Sequence, residues 1–590
     1  MDVPCKAAAM VVTFGLSAAA TIVLCAAAAV ASTGLAAGVS GITSTYARPP
    51  PAMPLRHEEI LQHLDSLEAG TGPSRRLSSE VAEVAVDPVE QVHLGLGGPG
   101  EVVVTWATWL RGLPSKVLFS EEDGVWREAT GQASAYVIQL CPNKHLAEPR
   151  LRGAGARPQI SDEEVAQLVN TSRLGLPRDS AAYRLIEDAS ESWAVLEHDQ
   201  WCLRYSNPLA YYESPYIHTV VLTGLKSRAT YRYRPEGGQR TFGFTMPQAV
   251  GLSDPEKPLK IGVWGDVGIT DVSFAVMQEL ARRKSEVALL VGDYSYADGW
   301  GPKWESFGMM MEPLMARVPG LGVAGNHEIA SGRQQGLDWL HRYPQPYRQS
   351  GSESPHYWSY ETGLVHILGL PGSYAPSANS TGGHPSAQYL FAAEDLARVD
   401  RRRTPWVVVM FHTPWYTSNE YHFQEGIKHQ WDMEDLFFRY GVDVVLGGHV
   451  HAYERSHPVY RNEVNACGVV HIVTGDAGNY EGPASRWREP QPTWSAFREA
   501  SFGAGGLTFH NATHAEWEWV RTACVSKGAE KKGTYLWDRQ LGSEDCHADS
   551  NGSSAAYAAV DTTFIIRDTL ACTNRESTAP LRRGPYTTNR

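Results

Sequence analysis

Short apolar runs recur along the C-terminal part of the chain, most of them closing on glycine and a polar residue. They fall at residues 259–266, 287–293, 320–325, 365–370, 406–411, 442–446 and 469–474. Apolar runs of this length, bounded by turn signals, suit strands buried on both faces. Between the first two, residues 271–284 carry helical periodicity, and residues 431–440 form the clearest later helix. Strand, helix and strand of this length predict a parallel pair with a right-handed crossover. Residues 515–522 and 562–567 add two paired strands around a cysteine-bounded insertion.

Upstream the period changes. Residues 91–96 and 101–106 alternate and are β-branched, with Gly97-Gly98-Pro99-Gly100 between them, a hairpin signal. Similar runs at residues 216–222, 230–234 and 241–245 predict an all-β sandwich, interrupted by a polar insertion at about residues 142–205. Residues 41–82 are rich in Pro, Ser and Gly and read as a linker or propeptide, with a short helix at residues 58–68. Residues 7–39 carry no charge and are dominated by alanine. Two readings stay open for residues 1–40: a signal peptide cleaved near residues 31–37, or an uncleaved signal-anchor. A chain of 590 residues exceeds what one core holds. The expected order is leader 1–40, linker 41–82, sandwich 83–250, an α/β unit at 258–570 that includes the last strands, and a tail at 571–590.

Composition narrows the partners. The formal charge of -13 argues against non-specific nucleic-acid binding, which needs a basic surface. Outside the leader lie Cys141, Cys202, Cys467, Cys524, Cys546 and Cys572, an even set suited to an oxidising compartment. Cys141 with Cys202, and Cys524 with Cys546, bracket irregular segments and are the guessed pairs. Sequons at Asn170, Asn379, Asn511 and Asn551 fit glycosylation on a secretory route to the extracellular space or the vacuole.

The candidate chemistry lies where the runs end. They close on Gly265-Asp266-Val267-Gly268, Gly292-Asp293-Tyr294-Ser295-Tyr296, Gly325-Asn326-His327-Glu328, Phe411-His412 and Gly448-His449-Val450-His451. Open α/β sheets place ligand sites at the carboxyl ends of their strands. A lone His-x-His is weak evidence for a metal, but five strand ends with oxygen and nitrogen donors are not. Asp266, Asp293, Tyr296, Asn326, His412, His449 and His451 make seven donors, too many for one ion that keeps a reactive position open. Two ions sharing a carboxylate serve in-line displacement at phosphorus. Phenolate from Tyr296 favours a hard ferric ion.

The five stretches match DxG, GDxxY, GNH(D/E), VxxH and GHxH, and over residues 88–570, including Trp494-Ser495-Ala496-Phe497-Arg498-Glu499, the chain resembles the large plant-type purple acid phosphatases. The resemblance implies a calcineurin-like metallophosphoesterase fold, a β-sandwich with flanking helices, preceded by an all-β fibronectin-III-like sandwich. It implies an acid phosphatase that hydrolyses monoesters with a metal-bound hydroxide and has an acidic optimum. Asp266, Tyr296 and His451 would bind Fe(III). Asn326, His412 and His449 would bind a divalent Zn, Mn or Fe, and Asp293 would bridge the two. His327 and His422 would contact the phosphate, with Asn326, and His422 would orient it or protonate the leaving group. Tyr421 stands where the family often carries a second histidine, which leaves that contact and the substrate preference open. Glu328 is expected to support the metal shell. Phosphorylated small molecules are the expected partners, while a membrane anchor and a homodimer stay open. A phytase acting on inositol polyphosphates is the nearer rival. A catalytically silent metal-binding docking protein is the rival from another class.

Overall fold

The computed structural model describes residues 87–122, 124–139, 211–297, 301–329, 336–373, 385–523, 559–567 and 572. The leader, the linker, the 142–205 insertion, both guessed disulfides, three of the four sequons (Asn170, Asn379 and Asn551) and the tail beyond 572 lie outside these residues.

Two sheets stack around a shared core. One carries the parallel strands Leu259–Trp264, Val287–Leu290 and Gly320–Gly322, in that spatial order. The other carries Val365–Gly369, Trp406–Met410, Val444–Gly447 and Val470–Thr474, also parallel neighbours. Successive side chains of a strand face opposite ways, and here each face has its own cover. Val287 and Leu289 enter the core between the sheets with Trp406, Val408 and Leu446. Ala288 and Leu290 face helix residues Val276, Leu280, Phe307 and Met311. Val407, Val409 and Val445 pack on Met433, Leu436 and Phe437 beneath the second sheet. These strands are therefore apolar throughout rather than alternating. Truncating one such side chain, for example Leu289→Ala, costs about 2–5 kcal/mol.

Local signals set the helices. Asp271–Arg283 starts at Thr270, whose hydroxyl accepts from Ser273 N while Ser273 caps back, and it stops at Lys284 in the left-handed region. The second helix runs Ile427–Tyr440 and ends at Gly441, so it begins earlier than the periodicity of residues 431–440 indicates. His429 and Gln430 are buried in its first turn, and polar residues on the inner face hide the apolar stripe.

The boundary expected near residue 250 is not a break in the fold. Strands Glu90–Leu96, Val102–Thr108, Tyr216–Leu222 and Gln132–Ser134 add four strands to the first sheet, joined by Gly95 pairing with Gly320. A second layer, Phe242–Thr245, Thr230–Pro235, Lys116–Glu121 and Arg127–Thr130, covers them. Buried charges clip the seam. Arg342 donates to Gln91 Oε1, Tyr136 and Glu305 Oε1, and Glu312 accepts from Val92 N and pairs with Arg240. The described residues accordingly fall in one compact unit.

At the far end of the first sheet, Phe502–Phe509, His514–Ala523 and Ala559–Ile566 run antiparallel. Cys467 is joined to Cys572, a pairing that the sequence does not single out. Among the described residues no helix is long and apolar enough to cross a membrane.

Candidate metal centre

The strand ends converge. Asp266 follows Leu259–Trp264, Asp293 and Tyr296 follow Val287–Leu290, Asn326 follows Gly320–Gly322, His412 follows Trp406–Met410, and His449 and His451 follow Val444–Gly447. Asp266, Asp293, Tyr296 and His449 all have φ between 51 and 67°. Left-handed backbone at non-glycine residues costs energy and gathers at functional sites. Tight turns aim these side chains back over the sheet edge. Gly292, with φ 99°, and Gly448 make the approach possible: a Cβ there would overlap His412 Nδ1 or Asp266 Oδ2.

Two groups of donors result. In the first, the Tyr296 hydroxyl is 3.2 Å from Asp266 Oδ1 and 3.0 Å from His451 Nε2, and His451 Nε2 is 3.4 Å from the same Asp266 oxygen. In the second, Asn326 Oδ1 lies 3.0 Å from His412 Nε2 and 2.9 Å from His449 Nδ1. Asp293 Oδ2 is 3.0 Å from His412 Nε2 and 3.8 Å from His327 Nε2. That buried oxygen makes no aligned hydrogen bond and meets the imidazoles mainly through charge, an arrangement suited to a cation. Asp293, His412 and His449 bring ligand atoms within 4.8 Å of one another.

Supporting contacts fix these groups. Glu328 accepts from Asp293 N at 2.8 Å, Tyr294 N at 2.9 Å and Gly325 N at 2.9 Å. His412 Nδ1 donates to Val291 O at 2.7 Å, which leaves Nε2 to face the donors. Asn479 Nδ2 donates to the Asp266 carbonyl at 3.1 Å.

The electrostatics are strongly coupled. Burial alone would raise the Asp293 carboxyl, but His412 and His327 hold it below the usual carboxylate range. Burial would lower His412, and Asp293 and Asp266 instead raise it to about 9. Burial pulls His449 down to about 4 against the pull of Glu425. Burial, then Asp266 and Asp293, push the Tyr296 phenol well above its ordinary value. Burial and Asp293 push Glu328 up to about 8, against its N–H donors.

His327 packs against Tyr296 with ring centroids 4.0 Å apart and the planes tilted by 38°. His422 packs against His449 with centroids 4.0 Å apart and the planes tilted by 46°. Tyr421 is held elsewhere, its half-exposed ring lying under the Arg486 guanidinium at 4.4 Å. Sequence reasoning missed Glu425. It accepts from His449 Nε2 at 2.7 Å and from His422 Nδ1 at 3.0 Å, and the two histidines hold its carboxyl low despite burial. Its one signal is the spacing of three from His422. Asn511 is exposed at a turn, where its side chain accepts from Thr513 N and His514 N.

Comparison with known proteins identifies the ensemble. Residues 259–453 match the calcineurin-like phosphoesterase family, and residues 468–529 match the iron/zinc purple acid phosphatase-like protein C family. Purple acid phosphatase 18 of Arabidopsis thaliana is 41% identical over 52% of this chain and 69% of its own length. The chain belongs to the purple acid phosphatase family. Purple acid phosphatase 22 of the same plant is 39% identical over 65% of this chain and 90% of its own. The phosphoenolpyruvate phosphatase of Allium cepa is 37% identical over 52% and 67%. A purple acid phosphatase from yellow lupin seeds shares the fold, with a TM-score of 0.55 at 19% identity over 82% of this chain and 76% of that one. The chain is thus a metal-binding phosphoesterase with acid phosphatase chemistry.

Proposed function

We propose that the chain hydrolyses phosphate monoesters at a binuclear centre of Fe(III) and a divalent Zn, Mn or Fe. The observation that carries this reading is the buried Asp293 carboxylate, which brings Oδ2 to 3.0 Å from His412 Nε2 beside the cluster of His412 and His449. Asp266, Tyr296 and His451 would hold the ferric ion; Asn326, His412 and His449 would hold the divalent ion; Asp293 would serve both. The Tyr296 phenol is pushed up by burial, so it loses its proton only to a strongly polarising, hard cation. Bound ions would neutralise phosphoryl charge and activate the attacking water in acid.

The chain's own groups do the rest. His327, packed against Tyr296, would donate to a phosphoryl oxygen. Glu425 accepts from His422 Nδ1, which leaves Nε2 as the His422 atom that would donate to the leaving group. The leader, the sequons and the cysteines support a secreted or vacuolar glycoprotein.

The test is metal analysis with a visible spectrum of the purified protein, alongside turnover of phenyl phosphate. A charge-transfer band that is lost in Tyr296→Phe is the expected result. Iron-free, fully active protein would refute the ferric assignment, and bound metal without turnover would favour a silent docking protein.

A further inference from the structure

The wall beside His422 carries an array that the chemistry above does not use. Residues 418–420 run antiparallel to residues 486–488: Glu420 N donates to Arg486 O at 2.9 Å, Arg488 N donates to Ser418 O at 2.8 Å, and Asn419 bridges Trp487. In extended pairing, alternate residues share a face, so Arg486 and Arg488 project together and Trp487 projects opposite. Each arginine covers one aromatic ring. The Arg486 Cζ lies 4.4 Å from the Tyr421 ring centre, and the Arg488 Cζ lies 4.0 Å from that of Phe423. Both rings are exposed, at 41% and 37%.

This wall is anchored from below. Glu454 is buried and accepts from Ser418 N at 2.7 Å and from the hydroxyls of Ser418 and Ser495 at 2.6 Å. Asn419 Nδ2 donates to Ala484 O at 2.7 Å, and Arg498 donates to Arg488 O at 2.9 Å. The base is fixed while the tips face solvent. A guanidinium stacked on a ring is already oriented, so less rotamer freedom is lost when its edge meets oxygen anions. Glu420, 4.0 Å from Arg486, is a weak exposed competitor.

The position of the array suggests its use. Tyr421 and Phe423 flank His422, whose ring lies on His449. The array therefore starts one residue, about 3.8 Å of chain, from the proposed leaving-group donor. We propose that Arg486 and Arg488, seated on Tyr421 and Phe423, form a leaving-group subsite for phosphate monoesters that carry a second anionic group. This rests on the monoesterase reading above. It predicts a local preference for anionic leaving groups on a chain whose net charge is -13.

The experiment compares kcat/KM for phenyl phosphate, with its uncharged ring, against phosphoenolpyruvate and phytate, which add a carboxylate and further phosphates. It uses the full metal-loaded protein, the Arg486→Gln/Arg488→Gln variant and Arg402→Gln as a remote surface control, since Arg402 is 91% exposed and pairs with Asp400. The ratio of anionic to uncharged substrate should fall about three- to tenfold in the double variant. The fall should sit in KM, because the contacted group does not change during reaction. Arg402→Gln should leave the ratio in place. Ratios taken within one protein cancel any loss of folded enzyme. A fall for phosphoenolpyruvate alone would assign the carboxylate as the second anion; a fall for phytate alone would assign phosphate. An unchanged ratio for both substrates overturns the subsite while leaving the monoesterase reading intact. Absence of phenyl phosphate turnover in the wild type overturns both.

Discussion

Glu328→Gln tests how the centre is held without touching a proposed ligand. Glu328 is 4% exposed, and its two oxygens take three backbone donors. Oε2 serves Asp293 N and Gly325 N, and Oε1 serves Tyr294 N. Glutamine has the same shape, but one of its arms donates. In the better orientation the amide oxygen keeps the Asp293 and Gly325 bonds, and the NH2 group then faces Tyr294 N. In the other orientation two bonds are lost. A buried donor left unsatisfied costs about 1–3 kcal/mol, and hydrogen bonds to a charged group are worth about 1.5–3 kcal/mol. The expected destabilisation is therefore about 2–4 kcal/mol, concentrated in the turn that sets the Asp293 backbone. Metal affinity should fall by about 10–100-fold, the usual effect of losing a group that orients ligands. Chelator competition followed by metal analysis reads this directly, and phenyl phosphate turnover should fall with it. Wild-type metal retention and turnover in Glu328→Gln would refute the idea that this carboxylate organises the site.

Other outcomes follow from the same geometry. Asp293→Asn keeps the side-chain shape but removes the carboxylate that faces His412 and His327, so turnover should be lost and metal content should drop; retained turnover would sink the bridging role. His366 lies 2.7 Å from Asp395 and 3.3 Å from Glu361; burial would lower its pKa, yet the two carboxylates raise it to about 9. Its charged form thus contributes about 3 kcal/mol below pH 6.5, a contribution lost as pH rises through about 9. Denaturant unfolding of His366→Gln against wild type should show a gap at pH 6 that narrows by pH 10, and a pH-independent gap would contradict it.

What was legible in the sequence is the part ruled by local pattern. Val287 to Leu290 and Trp406 to Met410 are apolar on both faces because both faces are covered, and this reads directly as buried parallel strands. The strand ends that carry the seven candidate donors were legible too, since each apolar run there gives way to polar residues. Elements built on exceptions were hidden. Phe502–Phe509 contains Gly503, Gly505 and Gly506, residues that weaken a strand pattern; in the fold, a Cβ at Gly505 would collide with Trp517, so the glycine makes room for a buried tryptophan. The Pro302–Met315 helix carries Pro313, and Ala387–Arg398 buries Gln388 and Asp395, so both blur their apolar stripes.

Local order in the chain thus determined which residue types stand at which strand ends, because a strand's burial and its closing turn are short-range properties. Only the tertiary structure decided who meets whom. It seated His449 between Asn326 and Glu425, rings from distant segments over Tyr296, and Arg486 over Tyr421. It also fused the N-terminal strands to the phosphoesterase sheet through Gly95 and Gly320. Such meetings depend on loop paths and on strand order across two sheets, and no window of sequence contains that information.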